Sequence, residues 1–380
     1  MRKKRATMGY CLISWGANSH GQLGQGVRSE ECLLAREIDL SGCSLESRKI
    51  NKIVGGAGHT LILDDDGRVY SCGWNNKGQA GFPVNENTLS FREIGGKLKG
   101  KFITDVACGW DCSAALTIEG TLLLWGANYF GQLGKRPCVV QWAHEPFEVV
   151  IDRKIEQVSV GLRHMALVTE DRKVLVAGSG NKGQLGLSTS GNAAYAFTEV
   201  PMLTNVRDVA CGQHHTIAMT EDGNLYGFGD NKHGQLGLDT NTISRTFIPI
   251  RLPDVRFNPS VKMDSGWSHM VALNDGQIFS WGRNTYGQLG VGEIEGPSSW
   301  KIMRVKDLGR VRQVAAGSEH NVALNEDGRI FCWGWNEHGN CGNGHTKDTK
   351  VPEELPLSSN FTAIRVGSGA GHSFAVIKKS

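Results

Sequence analysis

The chain carries almost no net charge: 41 basic residues face 38 acidic ones, giving +3 over 380 residues. Nucleic-acid binders concentrate basic charge far more heavily, so no nucleic-acid partner is expected. Long apolar runs are missing too, and none approaches the ~20 residues of a membrane span. The run Arg2-Lys3-Lys4-Arg5 has no apolar stretch behind it, so it is not read as a secretory signal. It has the composition of a nuclear address, although a solvated tail over residues 1–8 is the simpler reading. Without export, the ten cysteines read as reduced thiols, which favours the cytoplasm and leaves the nucleus open. Proline is scarce at 10 residues while glycine reaches 50, spaced between aromatics, as in a repeated turn.

What the chain does have is a period. The frame Gly-x-Asn-x-x-Gly-Gln-Leu-Gly, seen at Gly282-Arg283-Asn284-Thr285-Tyr286-Gly287-Gln288-Leu289-Gly290, recurs from Gly16, Gly73, Gly126, Gly178, Gly229 and Gly334. The steps between first glycines are 57, 53, 52, 51, 53 and 52 residues, so one supersecondary unit is used seven times. A second signature, Gly-x-x-His, places His59, His164, His215, His269, His320 and His372 in one slot, with Cys112 in the remaining copy. An acidic-Gly step follows, as at Asp327-Gly328, replaced once by Asp171-Arg172. The segment from His320 to Asn325 alternates as a half-buried strand, and the Asp-Gly step supplies positive φ for a tight hairpin. Arg329 to Trp333 is the return strand, and the motif asparagine caps the turn that follows. Roughly four short strands per ~50 residues is a propeller blade. The chain starts after the histidine signature and ends before the glycine motif. The fold is therefore expected to be an all-β, seven-bladed β-propeller over residues 9–380. Its last blade is closed by residues 9–26 and 361–377, which removes a free sheet edge.

The sevenfold frame resembles the regulator of chromosome condensation (Ran exchange factor) repeat family over nearly the whole chain. Within it, Ala107-Cys-Gly-Trp-Asp111, Ser265-Gly-Trp-Ser-His269 and Trp333-Gly-Trp-Asn-Glu-His338-Gly resemble the branch of secretion-regulating guanine nucleotide exchange factors. WD repeats are shorter, and kelch repeats require paired glycines in every repeat, whereas only Gly55-Gly56 and Gly95-Gly96 occur here. The resemblance implies a propeller that binds a small GTPase and exchanges its guanine nucleotide. The alternative is a non-enzymatic interaction scaffold. A plant-type UV-B photoreceptor would need repeated Gly-Trp-Arg-His, whereas Trp110 and Trp267 stand in separated blades without the arginine.

The chemistry-bearing residues weigh against bond-making catalysis. Six equivalent histidines point to a structural hydrogen bond, since a catalytic histidine would occur once, with partners. The string from Gly178 to Gly183 matches a dinucleotide fingerprint but opens no helix, and no P-loop exists to hold nucleotide. Cys108 and Cys112 lack a second pair at zinc spacing, so neither metal nor cofactor is expected. The residues between Gly and His are the unlike ones, and scaffold requirements do not dictate them. Trp110, Asp111, Arg163, His214, Trp267 and Glu319 therefore form the candidate partner-binding rim. Among these, Asp111, Arg163, His214 and Glu319 are the polar positions that the resemblance implicates in contacting the GTPase. The Ran factor carries a wedge-like insertion in one glycine motif, but the copy from Gly126 to Gly134 is intact here, against exchange by that wedge. A monomer is expected.

Overall fold

The computed structural model describes residues 10–46, 48–83, 88–188, 192–358 and 360–379, apart from the side chains of residues 254 and 255. The basic run at 2–5 and the tail over 1–8 lie outside the described residues. Among those described, every sheet has four antiparallel strands, and there are seven sheets. Blade 1 runs outward from the axis through Ile50–Gly55, His59–Asp64, Val69–Gly73 and Thr88–Glu93. Blades 2 to 6 repeat this order, with inner strands Ile103–Cys108, Ile155–Val160, Val206–Cys211, Lys262–Ser265 and Val311–Ala316.

The seventh blade is built from both termini. Phe361–Ser368 and His372–Lys379 form its inner pair, and Tyr10–Ala17 and Glu31–Glu37 its outer pair. Tyr10 pairs with Lys378 and Gly16 with His372, which ties the two ends of the chain in register. The N-terminal share of this blade reaches Glu37, past the expected limit at residue 26, because its outer strand lies beyond the glycine motif.

The second strands differ from expectation. The strand His320–Asn325 is buried at every residue, not at alternate ones. Each blade is stacked between two neighbours, so its middle strands meet apolar surface on both faces. Seven apolar clusters fill the seven seams; one joins Leu61, Leu63 and Ile94 of blade 1 to Val106, Leu123 and Trp125 of blade 2. Trp125 is wholly buried there, and truncation to alanine costs about 3–5 kcal/mol.

The turns behave as their residues dictate. Gly328 has φ +79° after Asp327, and where arginine replaces glycine, Arg172 itself adopts φ +61°. Asn284 Oδ1 accepts from the Leu289 amide at 3.0 Å, the expected cap of the glycine motif. The displaced asparagine of the fourth copy, Asn181, makes no such bond; it is exposed.

The repeat histidines stitch the seams. All six are 0% exposed. The Nε2 of each reaches the residue after the histidine slot of the next blade: His59 to Ser113 at 2.8 Å, His164 to Thr216 at 2.9 Å and His320 to Ser373 at 2.9 Å. His372 closes the circle on Thr60 at 2.9 Å, and His269 meets the Asn321 amide oxygen at 3.0 Å. Ser113 Oγ donates onward to the Gln79 carbonyl at 2.9 Å, so it accepts from His59, whose Nε2 must carry the proton. The Trp125 indole donates to the same carbonyl at 2.9 Å. Burial pushes the histidines down, His320 to about 3, and keeps them neutral. The exceptional slot explains itself: Cys112 stands where the next blade offers Met165, which gives a histidine no hydroxyl partner. His215 also faces a methionine, Met270, but Ser265 Oγ lies 3.1 Å from its Nε2. The glycine of each Gly-x-x-His is required by the ring itself, since a Cβ on Gly317 would stand 2.1 Å from His320 Cε1.

Candidate partner-binding face

The Gly-x-x-His loops join inner to second strands, so all seven gather at one end of the ring. The acidic-Gly hairpins join second to third strands and lie at the opposite end. The glycine motif joins third to outer strands and returns to the first end. Trp74 N donates to Gly58 O at 2.6 Å, Arg283 N to Ser268 O at 2.9 Å, and Trp335 N to Glu319 O at 2.8 Å. The variable residues of the glycine motif thus form an outer ring around the Gly-x-x-His loops.

The inner ring is a belt of backbone hydrogen bonds. Ala57 N donates to Trp110 O, Gln213 N to Trp267 O, Trp267 N to Ser318 O, Ser318 N to Ala370 O and Ala370 N to Gly56 O, all within 2.8–3.0 Å. Leu162 N closes a longer link to Gly212 O at 3.3 Å. Among the described residues the corresponding bond from Trp110 N to blade 3 is missing, at the same seam that lacks a histidine.

Trp110 and Trp267 are not separate rim residues. Their rings, from blades 2 and 5, meet across the axis with centroids 5.3 Å apart, tilted by 43°. Together they line the mouth of the central cavity, about 300 Å³ bounded by the inner strands. Blade separation in the sequence hides this contact, because the axis brings all seven loops together.

Asp111, Arg163 and His214 lie in one arc over blades 2 to 4. Burial pushes the Asp111 carboxyl up to about 6, against the pull of Lys77 and Arg163. The Arg163 guanidinium is exposed and stacks over Phe130, 4.4 Å from the ring centroid. His214 is half-buried and pushed down by burial, and its Nδ1 has no hydrogen-bond partner. Glu319 stands apart on blade 6. It is only 4% exposed, pairs with Arg283 at 2.8 Å and accepts from Gln288. Burial raises its pKa in spite of these partners. It presents no free carboxylate; Arg283 presents the surface there, stacked on Tyr286 at 5.1 Å.

The outer ring carries side chains that the repeat analysis passed over as scaffold. Lys77 Nζ sits 5.5 Å from the Tyr129 ring centroid and 5.4 Å from that of Trp142. His20 packs on Trp74 at 4.6 Å, and Trp335 lies between Tyr286 at 6.4 Å and His338 at 5.3 Å. The signal was present: the positions inside the glycine motif that differ from copy to copy are as unlike as those ahead of the histidines. The opposite end is different in kind. Its acidic hairpins are laced to their own arginines, as in Arg310–Glu326 at 2.9 Å and Arg329–Asp327 at 3.5 Å.

Sequence comparison places this geometry. The RCC1-like domain family matches residues 11–375. The chain belongs to that family. It is 34% identical to the secretion-regulating guanine nucleotide exchange factor of Bos taurus, over 96% of this chain and 82% of that protein. It is 31% identical to the ultraviolet-B receptor UVR8 of Arabidopsis thaliana, over 92% of this chain and 79% of the other. Among solved structures, Prp20p of Saccharomyces cerevisiae, described with its binding to Gsp1p and histones, superposes with TM-score 0.84. That match covers 99% of this chain and 93% of the other at 24% identity, which bears on the fold. The RCC1-like membership accounts for the sevenfold frame and for the termini meeting in one blade. The wedge-like insertion attributed to the Ran factor has no counterpart in the copy from Gly126: Leu133 N bonds Asn128 Oδ1 at 2.8 Å, and the turn is as regular as its siblings. No helix among the described residues is long and apolar enough to cross a membrane.

Proposed function

We propose that this propeller binds a small GTPase through its Gly-x-x-His end and promotes release of the bound guanine nucleotide, in a pathway of regulated secretion. The observation that carries this is the asymmetry of the two ends. One presents aromatics with the cations of Lys77 and Arg163 over blades 1 to 3, while the other neutralises its charges locally. Interfaces draw on Trp, Tyr and Arg in this way. An exchange factor forms and breaks no covalent bond. It binds the nucleotide-free GTPase more tightly than the loaded one, and that difference expels the nucleotide. No general base or nucleophile is required, in keeping with neutral, structural histidines. We take the protein to act as a cytoplasmic monomer, with no nucleic acid involved; the net charge of +3 supports the last point.

The test is differential affinity. Immobilised propeller is exposed to GTPases stripped of nucleotide by chelation and to the same GTPases loaded with GDP. Tighter capture of one stripped form supports the reading, and equal capture of both forms refutes it. The regular loop at Gly126 favours a second reading, a scaffold that docks the same partner without exchange. Equal capture combined with loss of binding in Trp267→Ala would establish it.

A further inference from the structure

The cations of the binding face are not equivalent. Arg283 is satisfied from within by Glu319, whose side chain is 5% exposed, so that sector is closed. Arg163, on the arc over blades 2 to 4, has only the Phe130 ring. Neither Arg163 nor Lys182 makes an ion pair among the described residues.

Two further polar residues, Gln184 of blade 3 and His214 of blade 4, belong to the same seam. The His214 carbonyl and the Gln184 Cα crowd the same glycine, Gly229, at 2.4 Å and 3.2 Å from where its Cβ would be. Gln184 is 0% exposed; its Oε1 accepts from Lys182 N at 2.9 Å, yet its Nε2 has no partner. In sibling copies that nitrogen is used: Gln79 donates to Asn76 at 3.2 Å and Gln235 to Asp230 at 2.8 Å. His214 Nδ1 is likewise buried without a partner, and both Arg163 and Lys182 bear on its charge state. A buried donor left unpaired is costly, and a bound acceptor would recover that cost. The acids nearby do not supply that acceptor. Asp230 is engaged by Gln235, and Asp111 is drawn toward its neutral form by burial.

We propose that Arg163, Lys182, His214 and Gln184 form an anion subsite at the seam of blades 3 and 4, which receives the carboxylates of an acidic segment on the protein partner. The planar guanidinium, 4.4 Å from the Phe130 ring centroid, has the fork geometry to bind a carboxylate in bidentate fashion. A chain of net charge +3 with no basic stripe is poorly matched to the long phosphate backbone of nucleic acid. This rests on the reading that the Gly-x-x-His end faces a protein.

The test uses the full chain and a fluorescent octaglutamate peptide, with binding followed by anisotropy. Arg163→Ala/Lys182→Ala should weaken binding about tenfold or more. Lys154→Glu, at the opposite end, should change it within about twofold, and thermal melts confirm that both variants fold. Binding unchanged in the double variant, or no binding by the wild-type chain, overturns the subsite. Competition by inorganic phosphate matching that of glutamate, charge for charge, overturns its assignment to carboxylates. The outcomes separate from those of the exchange reading. Peptide binding lost in the double variant while no GTPase is captured supports the subsite and sinks exchange. A captured GTPase whose affinity the double variant leaves unchanged does the reverse.

Discussion

His320→Gln isolates one seam histidine. The glutamine amide keeps a donor near the place of Nε2, which stands 2.9 Å from Ser373 Oγ, but it cannot titrate. At about pH 7.5 the variant loses ring packing and is less stable by about 1 kcal/mol. Burial takes His320 from the usual 6.5 down to about 3, so at about pH 5 the folded chain leaves it neutral while the unfolded chain protonates it. Stability from this residue is therefore complete above 6.5 and is lost as pH falls toward the folded value. Proton uptake by the unfolded chain amounts to RT ln(1 + 10^1.5), about 2 kcal/mol at that pH. The variant escapes that loss, so its deficit at neutral pH should become an advantage of about 1 kcal/mol in acid. Urea unfolding of both proteins at the two pH values, followed by tryptophan fluorescence, measures the change. An equal difference in stability at both values would refute the buried, neutral seam. Six such residues make the ring acid-sensitive. Asp111 and Asp208, both raised to about 6, work in the opposite sense by taking protons into the folded state.

Cys112→His alone should destabilise by about 1–3 kcal/mol, because its ring meets Met165; combined with Met165→Ser, which supplies the hydroxyl, it should cost about 1 kcal/mol less than the sum of the two single changes, a coupling that a double-mutant cycle reads directly. Arg283→Ala leaves Glu319 buried and unpaired. It should cost about 3 kcal/mol at neutral pH and less as acid protonates the carboxyl, by urea unfolding across a pH series. Replacing either Trp110 or Trp267 by phenylalanine should abolish the far-ultraviolet exciton couplet of their pair, and a retained couplet would contradict the contact across the axis.

The parts of the structure visible in the sequence are those the repeat writes seven times. A Gly-x-x-His reused in six of the seven blades specifies a loop, and its glycine is needed because the histidine ring packs on it. The partners of five of the six histidines also left a trace. Thr60, Ser113, Thr216, Asn321 and Ser373 are polar residues in otherwise apolar strands, each directly after the histidine slot. That trace marks a buried bond between consecutive blades. The contact of Trp110 with Trp267 left none, because it depends on the angle around the axis and not on order along the chain. Glu319 misleads for a related reason. Its slot is on the Gly-x-x-His end, but Arg283 of the preceding blade draws its carboxylate inward. Lys77, Tyr129 and Lys182 were hidden by their setting, as variable positions in a motif whose invariant residues do structural work.

The central claim concerns nucleotide release. Fluorescently labelled GDP, preloaded on a panel of small GTPases, is followed with and without the propeller and its Arg163→Ala variant. Release from a member of the panel should accelerate with the wild-type propeller, and less so when Arg163 is removed. Release at the intrinsic rate from every member would contradict it.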